Sequence, residues 1–448
     1  MASAARTRVR GRPGPGGQEP PGAAVPDVSR ADRPIALRLR HPSSRWGPFR
    51  LQRLVLVEVA AALPLVGWAV GGSSAAALAG GVAAVLVLLA VVRRNGRALP
   101  ALLGASRRLK ERRRRAARTP VPPGTDPAFT AALECDPALR TYSHRGRDRR
   151  DVGMVGDGTF VTVVLQIEPD GAALRTGPAG RPLPLGPVRD ALEVDGIRLA
   201  SAQIVLHTQP APALHLPQQS VAVSNYAPLQ ARTGAPALRL TWIALKLDPE
   251  LCPEAVAARG GGLAGAQKCV MRAADQLASR LAGRGFRATA LSEEELTAAL
   301  ATSACANPLV TAQSGRDDAP QRRTEESTRS WRCDNRRHTT YWVRRWPQLG
   351  GAGGPAMSQL VTLLTAVPTL ATTFSLTLGP DRQQVRRDGH EGLALRGHVR
   401  VTGRSDSELD TARRALEQGA RQAGAGLVRL DHEQLPGMLA TLPLGGTR

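Results

Sequence analysis

Lysine is nearly absent from this chain. Only Lys110, Lys246 and Lys268 occur in 448 residues, and the other 57 of its 60 basic residues are arginine. None of the three is followed by Ser or Thr, so no G-K-[ST] phosphate loop can form and the chain is not a P-loop ATPase. Cysteine is sparse too. Cys135, Cys252, Cys269, Cys305 and Cys333 are odd in number, widely spaced and never in a C-x-x-C pair, which argues against a zinc site or a disulfide framework. A catalytic thiol at Cys269 or Cys333 competes with the plainer reading of buried, idle cysteines. Gly-x-Ser-x-Gly and His-Glu-x-x-His are missing, and the eight histidines are scattered. His338 lies near Cys333 and Asp334, but one local cluster does not make a triad. A single Gly-x-Gly-x-x-Gly stands at Gly260, Gly262 and Gly265. A dinucleotide site needs such glycines directly after a strand; here the strand before them ends at Leu247. The turn reads as a flexible connector. No catalytic residue, cofactor site or metal site is assigned.

Long apolar runs are confined to one place. Leu54–Val70 and Ala75–Val92 are two spans joined by Gly71-Gly72-Ser73-Ser74. Spans of 17 and 18 residues sit at the short end of what a hydrocarbon core of about 30 Å requires. Arg45, Arg50 and Arg53 precede them and Arg93, Arg94 and Arg97 follow, while the turn carries no charge. The positive-inside rule then places both flanks in the cytoplasm. The expectation is a two-helix transmembrane hairpin over 46–95, multi-pass in the plasma membrane, with both termini cytoplasmic. Glu58 and Pro64 interrupt the first span. Glu58 either meets a partner helix or snorkels to the interface close to Arg53. Gly67, Gly71, Gly80 and Gly81 with their alanines permit close helix approach, so Glu58, Pro64, Gly67, Gly80 and Gly81 are candidate packing positions.

Net charge is +23 and uneven. Residues 1–53 carry +8, 93–118 carry +10, and 119–448 only +6. Basic charge concentrated at membrane flanks favours anionic lipid headgroups, with Arg50, Arg53, Arg93, Arg94 and Arg97 as candidate contacts. Nucleic acid is disfavoured, since no helix-turn-helix, RNP motif or zinc finger accompanies the arginines. Residues 1–45 form a Pro/Gly-rich basic tail too poor in large apolar residues to fold. Arg93–Arg118 reads as a polar helical stretch, and residues 96–125 as a basic juxtamembrane segment and linker, broken by Thr119-Pro120-Val121-Pro122-Pro123-Gly124.

Residues 126–448 read as a cytoplasmic α/β or α+β domain with a mixed sheet, because strands alternate with helices. Val152–Met154 and Gly158–Ile167 form a hairpin, and Ala202–Thr208 is a further strand. Leu240–Leu247 is a strand, followed by a helix from Leu263 to Leu281 with Ala266, Val270, Ala273 and Leu277 on one face. Phe286–Leu291 is a strand, and Ser292 with Glu295 opens a second helix by a capping box. The C-terminal part follows the same plan: strands Thr372–Leu378 and Leu393–Val401, a helix capped by Ser405 and Glu408, strand Leu427–Leu430, and a short turn opened by Asp431 and Gln434. The shared residues are too few to read as a duplication. Gln313–Arg329 reads as a mobile loop. Met357–Leu378, interrupted by eight Ser or Thr and by Pro368, reads as a buried helix and then a strand. Arg336–Pro347 is a strand with Trp342, Arg344 and Trp346 on one face. These are candidate partner contacts, though core packing explains them as well.

Three segments carry a resemblance. They are Trp242–Pro249 running into Pro253–Gly262, then Arg336–Pro347, then Gly426–Gly437. With the two-span start they make residues 40–448 resemble EccE, the membrane subunit of actinobacterial type VII secretion systems, in its streptomycete-like form. The resemblance implies a structural subunit of a translocation complex with EccB, EccC and EccD-like partners, not an enzyme. It also implies a glycosyltransferase-like α/β fold without catalytic residues. The alternative from another class is a membrane-tethered glycosyltransferase-like enzyme using the Gly260–Gly262 turn.

Overall fold

The computed structural model describes residues 48–446, apart from 92, 95–96, 123, 147–148, 171–181, 210–220, 222–223, 226–227, 229–237, 315–321, 349–355 and 381–391. The basic tail 1–45 and most of the Pro-rich passage after Thr208 lie outside the described residues.

The chain opens with helix α1, Pro48–Val91. Its stretch Glu58–Leu88 is, among the described residues, the one helix long and apolar enough to cross a membrane. Helical geometry fails inside it at Gly71 (φ −139°) and Gly72 (φ 66°, ψ −155°). A straight helix would hold residues 67 and 79 about 18 Å apart. Instead, a Cβ on Gly67 would lie 2.9 Å from the Ala79 Cβ, so the two helical legs fold back on each other. Ala60 and Ala83 are buried while Val66, Trp68, Val70 and Leu78 are exposed. Small residues therefore close the contact between the legs, and large apolar ones face outwards.

Two-residue strands β1, Arg93–Arg94, and β2, Arg97–Ala98, pair antiparallel. Helix α2 follows at Leu99–Arg118. The polar helix expected from Arg93 thus begins six residues later, after this small turn.

The domain beyond is built on one sheet whose order is β11-β12-β13-β15-β14-β8-β9-β5-β4-β3, with β10 also pairing β5 and β16 also pairing β13. Its strands are β3 Arg140–Arg145, β4 Asp151–Gly156, β5 Val161–Pro169, β8 Ser201–Gln209, β9 Leu238–Leu247, β10 Phe286–Ala290, β11 Thr324–Glu326, β12 Trp331–Cys333, β13 Arg336–Arg345, β14 Ala371–Pro380, β15 Leu393–Gly403 and β16 Gly426–Arg429. A small separate ribbon pairs β6, Glu193–Val194, with β7, Ile197–Arg198. Every pairing in the large sheet is antiparallel. The expected mixed sheet is therefore corrected. Alternation of strands and helices suggested neighbouring parallel strands, but here the strands joined through helices are separated by an antiparallel one: β9 lies between β5 and β8, and β15 between β13 and β14.

The sheet order is a palindrome of topology. Reading outward from the central β8–β14 pair, β8, β9, β5, β4 and β3 match β14, β15, β13, β12 and β11. The short strand β10 sits beside β5 as β16 sits beside β13. The helices match as well. They are α3 Thr130–Cys135 with α8 Pro308–Ser314, α4 Leu185–Asp190 with α9 Met357–Thr365, α6 Gly262–Ala282 with α10 Asp406–Gln422, and α7 Glu293–Ser303 with α11 Gln434–Thr441. Helix α5, Pro253–Ala257, belongs to the first half alone. The two halves share one plan despite their dissimilar residues.

Helices α4, α6, α9 and α10 cover one face of the sheet with an apolar core, including Val163, Ile243, Leu277, Leu376, Val399 and Leu416. Helices α3, α7 and α11 cover the other, with Leu300 of α7 in one cluster with Val164, Val205 and Trp242 of the sheet. The capping box at Ser292 and Glu295 forms as expected, and Ser405 caps α10 through the Glu408 N–H. The turn at Asp431 leads into α11 at Gln434; Asp431 pairs with Arg429 at 2.5 Å, and Glu433 occupies the N-cap without a side-chain cap bond.

Candidate functional site

The expected mobile loop 313–329 is where the chain ties its parts together. Residues 322–326 describe a short path ending in β11, and their side chains reach α2, α3, α8 and β12. Arg112 of α2 forks onto Glu326, with Nε 2.9 Å from Oε2 and Nη2 2.8 Å from Oε1. The same Nη2 donates to the His432 carbonyl at 2.7 Å, and Arg113 Nε donates to the Glu326 carbonyl at 2.7 Å. Glu326 Oε1 also accepts the Leu435 N–H of α11 at 2.9 Å. Arg322 donates to the Ala116 carbonyl of α2 at 2.7 Å. One acidic side chain, 4% exposed, thus joins the basic helix, the edge strand and helix α11.

The neighbouring contacts fix that edge. Glu134 of α3 accepts the N–H groups of Arg323 and Thr324 at 2.9 and 2.8 Å and the Thr324 hydroxyl at 2.6 Å. Arg323 forks onto Asp334 at 2.9 and 2.8 Å, with both side chains almost wholly buried. Bidentate guanidinium–carboxylate pairs are the strong form of the ion pair. The basic segment 96–125 was expected as a juxtamembrane stretch with a linker. Its C-terminal half instead has a stripe of Ala105, Leu109, Arg112 and Ala116 turned inward at helical spacing, while Arg107, Arg108, Lys110, Arg114 and Arg118 stay exposed. Arg115 and Glu111 form an exposed pair one turn apart.

A second concentration of polar groups lies under α11. Arg400 is fully buried and donates to the Thr373 hydroxyl at 3.1 Å and to the Ser303 carbonyl and Met438 sulfur. Its Nε has no partner, and no carboxylate is bonded to it among the described residues. His207 Nδ1 lies 3.0 Å from the same Thr373 hydroxyl, and His338 Nδ1 lies 2.9 Å from the Thr402 hydroxyl. Burial, with the Arg400 charge second, pushes the His207 pKa down to about 3. The same causes hold His338 well below the usual histidine range. Burial also lowers Arg400, to about 10, and raises the Cys135, Cys305 and Cys333 thiols. All five cysteines are free and buried. Neutral histidines and protonated thiols sealed from water have neither the exposure nor the pKa that acid–base or nucleophilic work requires. The layer is structural. Among the described residues no three His, Cys, Asp or Glu side chains group as metal ligands would.

The Gly260–Gly262 turn has positive φ at all three residues, 105°, 67° and 54°. It connects α5 to α6. The Gly261 N–H donates to the Val256 carbonyl at 2.9 Å, and a Cβ on Gly265 would lie 2.4 Å from that same oxygen. These glycines serve a tight helix–helix turn. The antiparallel sheet also lacks the parallel strands beside which a doubly wound fold holds a nucleotide, so the glycosyltransferase-like expectation finds no support here.

The remaining candidates are dispersed. Glu58 is exposed, and Pro64 and Gly67 are half-buried. Gly80 and Gly81 have open space where a Cβ would stand. The backbones of Arg50 and Arg53 are helical, and Arg93, Arg94 and Arg97 lie in β1 and β2; the side chains of all five lie outside the described residues. Trp342 and Arg344 are half-buried. Trp346 does not share their face. A bulge between Val343 and Arg345 shifts the strand by one residue. Trp346 is consequently 7% exposed, in the apolar core with Tyr341 and Val343, over Gly397, where a Cβ would meet its ring at 2.6 Å. As a partner contact Trp346 is corrected.

Comparison with known families gives a match over about a quarter of the chain. Residues 235–343 fit the family described as "Putative type VII ESX secretion system translocon, EccE". The match runs from β9 through α5–α8 into β13, and so contains the Trp242–Gly262 segment and most of Arg336–Pro347. The Gly426–Gly437 segment lies outside it. No curated protein matches the chain.

Proposed function

We propose that this chain, with its EccE match over residues 235–343, is a membrane-anchored structural subunit of a type VII secretion translocon. The observation that carries the reading is that match, which names a translocon component. The fold-back of α1 at Gly71–Gly72 supports two short membrane spans with the domain and both termini on the cytoplasmic side, in the plasma membrane. The clamp of α2 on Glu326 supports a rigid rather than a tethered connection between them. Membrane position then fixes domain position, as a scaffold requires.

Its partners in this reading are EccB, EccC and EccD-like subunits, with EccC the ATPase that drives export. Anionic headgroups are the counter-charge for Arg50, Arg53, Arg93, Arg94 and Arg97. Glu58, Pro64, Gly80 and Gly81 face a neighbouring helix, and Trp342 with Arg344 supplies part of a protein contact. The tail, membrane segment, basic helix and cytoplasmic domain keep the boundaries 1–45, 46–95, 96–125 and 126–448. The chain carries out no catalysis of its own and binds neither cofactor nor nucleic acid. Extraction of a tagged copy in mild detergent tests this: EccB, EccC and EccD-like proteins should co-purify with it. Recovery of the tagged chain alone, under conditions that keep the other three together, would sink the reading.

A further inference from the structure

The two ends of the sheet are topological twins with different fates. At one end, the edge strand β11 is covered by the chain itself, since Arg113 of α2 bonds the Glu326 carbonyl. At the other end stands β3, Arg140–Arg145, paired with β4 alone. Among the described residues nothing pairs with its outer edge.

The hydrogen-bond alternation says which groups that edge offers. The Gly146 N–H donates to the Arg150 carbonyl at 2.9 Å, so 146 and 150 form a hydrogen-bonded pair of the hairpin. Bonded pairs recur every second residue in an antiparallel ladder. His144, Tyr142 and Arg140 therefore spend their backbone groups on β4. The N–H and C=O groups of Thr141, Ser143 and Arg145 point away from the sheet. The register with β4 is unbroken over all six residues, and no proline interrupts it. Chains normally blunt a regular edge of about 20 Å. Among the described residues the protection of its outer backbone groups is charge. Arg140, Arg145, Arg149 and Arg150 are exposed; among the described residues Asp151 sits 3.9 Å from Arg145 with both side chains mostly in water, and Glu293 of α7 accepts the Thr141 hydroxyl at 2.6 Å, so the basic groups outnumber the acids.

That charge selects the occupant. A second copy of this chain paired on this edge would bring Arg140 and Arg145 against the same arginines of its twin, which like-charge pairs disfavour. We propose that the β3 edge is a docking site for an extended acidic segment of a different protein. The segment adds as a further strand, bonds the backbones of Thr141, Ser143 and Arg145, and places its carboxylates beside Arg140, Arg145, Arg149 and Arg150. This inference stands apart from the translocon reading.

A fluorescein-labelled peptide of roughly ten residues with alternating Val and Glu, matched to the edge length, is the probe. It is titrated onto the full chain in detergent at physiological ionic strength. A peptide with Lys in place of Glu is the charge control. The Glu peptide should bind and the Lys peptide should not. Ser143→Pro removes an outward N–H from an edge position that tolerates proline, and should weaken binding roughly tenfold or more, the loss of one or two ladder bonds. Ser143→Ala should leave binding unchanged, and both variants should keep the parent melting temperature. No binding of the Glu peptide, equal binding of both peptides, or unchanged binding by a folded Ser143→Pro variant would overturn the proposal. Self-association of the chain abolished by Ser143→Pro would also overturn it, in favour of a contact between copies.

Discussion

Glu326 accepts from Arg112 of α2 and from the first turn of α11 at once. Glu326→Gln keeps its shape and removes its charge. It should cost about 2 kcal/mol, the scale of charge-assisted hydrogen bonds lost at a buried site, read as a lower urea midpoint. Arg115→Ala, which breaks only the exposed pair with Glu111, should move the midpoint by less than about 0.5 kcal/mol. Arg400 gives the opposite expectation. A buried guanidinium without a carboxylate is expensive, so Arg400→Met should be neutral or stabilising by about 1 to 4 kcal/mol. His207 and His338 add a pH dependence. In the unfolded chain both protonate near pH 6.5, whereas burial keeps the folded ones neutral far below that. The unfolded state then binds more protons, so stability is whole above about pH 6.5 and falls below it. The slope is up to about 1.4 kcal/mol per pH unit for each histidine. Urea midpoints between neutrality and about pH 5 should show this slope, and His207→Gln should remove its share. None of these contacts was legible in the sequence. Arg112 and Glu326 are 214 residues apart, and Thr324-Glu325-Glu326 looks like loop until Thr324 and Glu326 are seen buried on either side of exposed Glu325.

Elements bounded by local chemistry were readable. The helix α6 follows from its apolar spacing, α7 from the Ser292–Glu295 box, and β4–β5 from β-branched residues between turn signals. The bulge at Val343–Arg345 was not, because it depends on how β16 meets β13. It moved Trp346 from a surface to the core. In α1 the sequence marked the break at Gly71–Gly72 but not which small residues close the contact. The legs meet through Gly67, Ala75 and Ala79, leaving Gly80 and Gly81 open. Glu58→Leu, or Leu at both Gly80 and Gly81, should therefore lower the yield of the detergent-extracted complex without preventing insertion. Gly67→Leu should disturb the legs themselves, since its side chain would collide with Ala75 and Ala79. Unchanged complex yield in the first two variants would make α1 a plain anchor.

Across the whole molecule, the α/β composition was legible and the antiparallel order was not. Strand order is set by pairings over long sequence separations, such as β8 with β14, on which local propensity is silent. The repeated plan of the two halves was visible as an order of elements, although too few residues were shared to establish it. The functional reading rests on the EccE match and on the clamp that fixes the domain to its basic helix. Co-purification of a tagged full-length chain after mild detergent extraction tests that reading most directly. EccB, EccC and EccD-like subunits should come out with it in constant proportion. A tagged chain that emerges alone while those three remain together would contradict it.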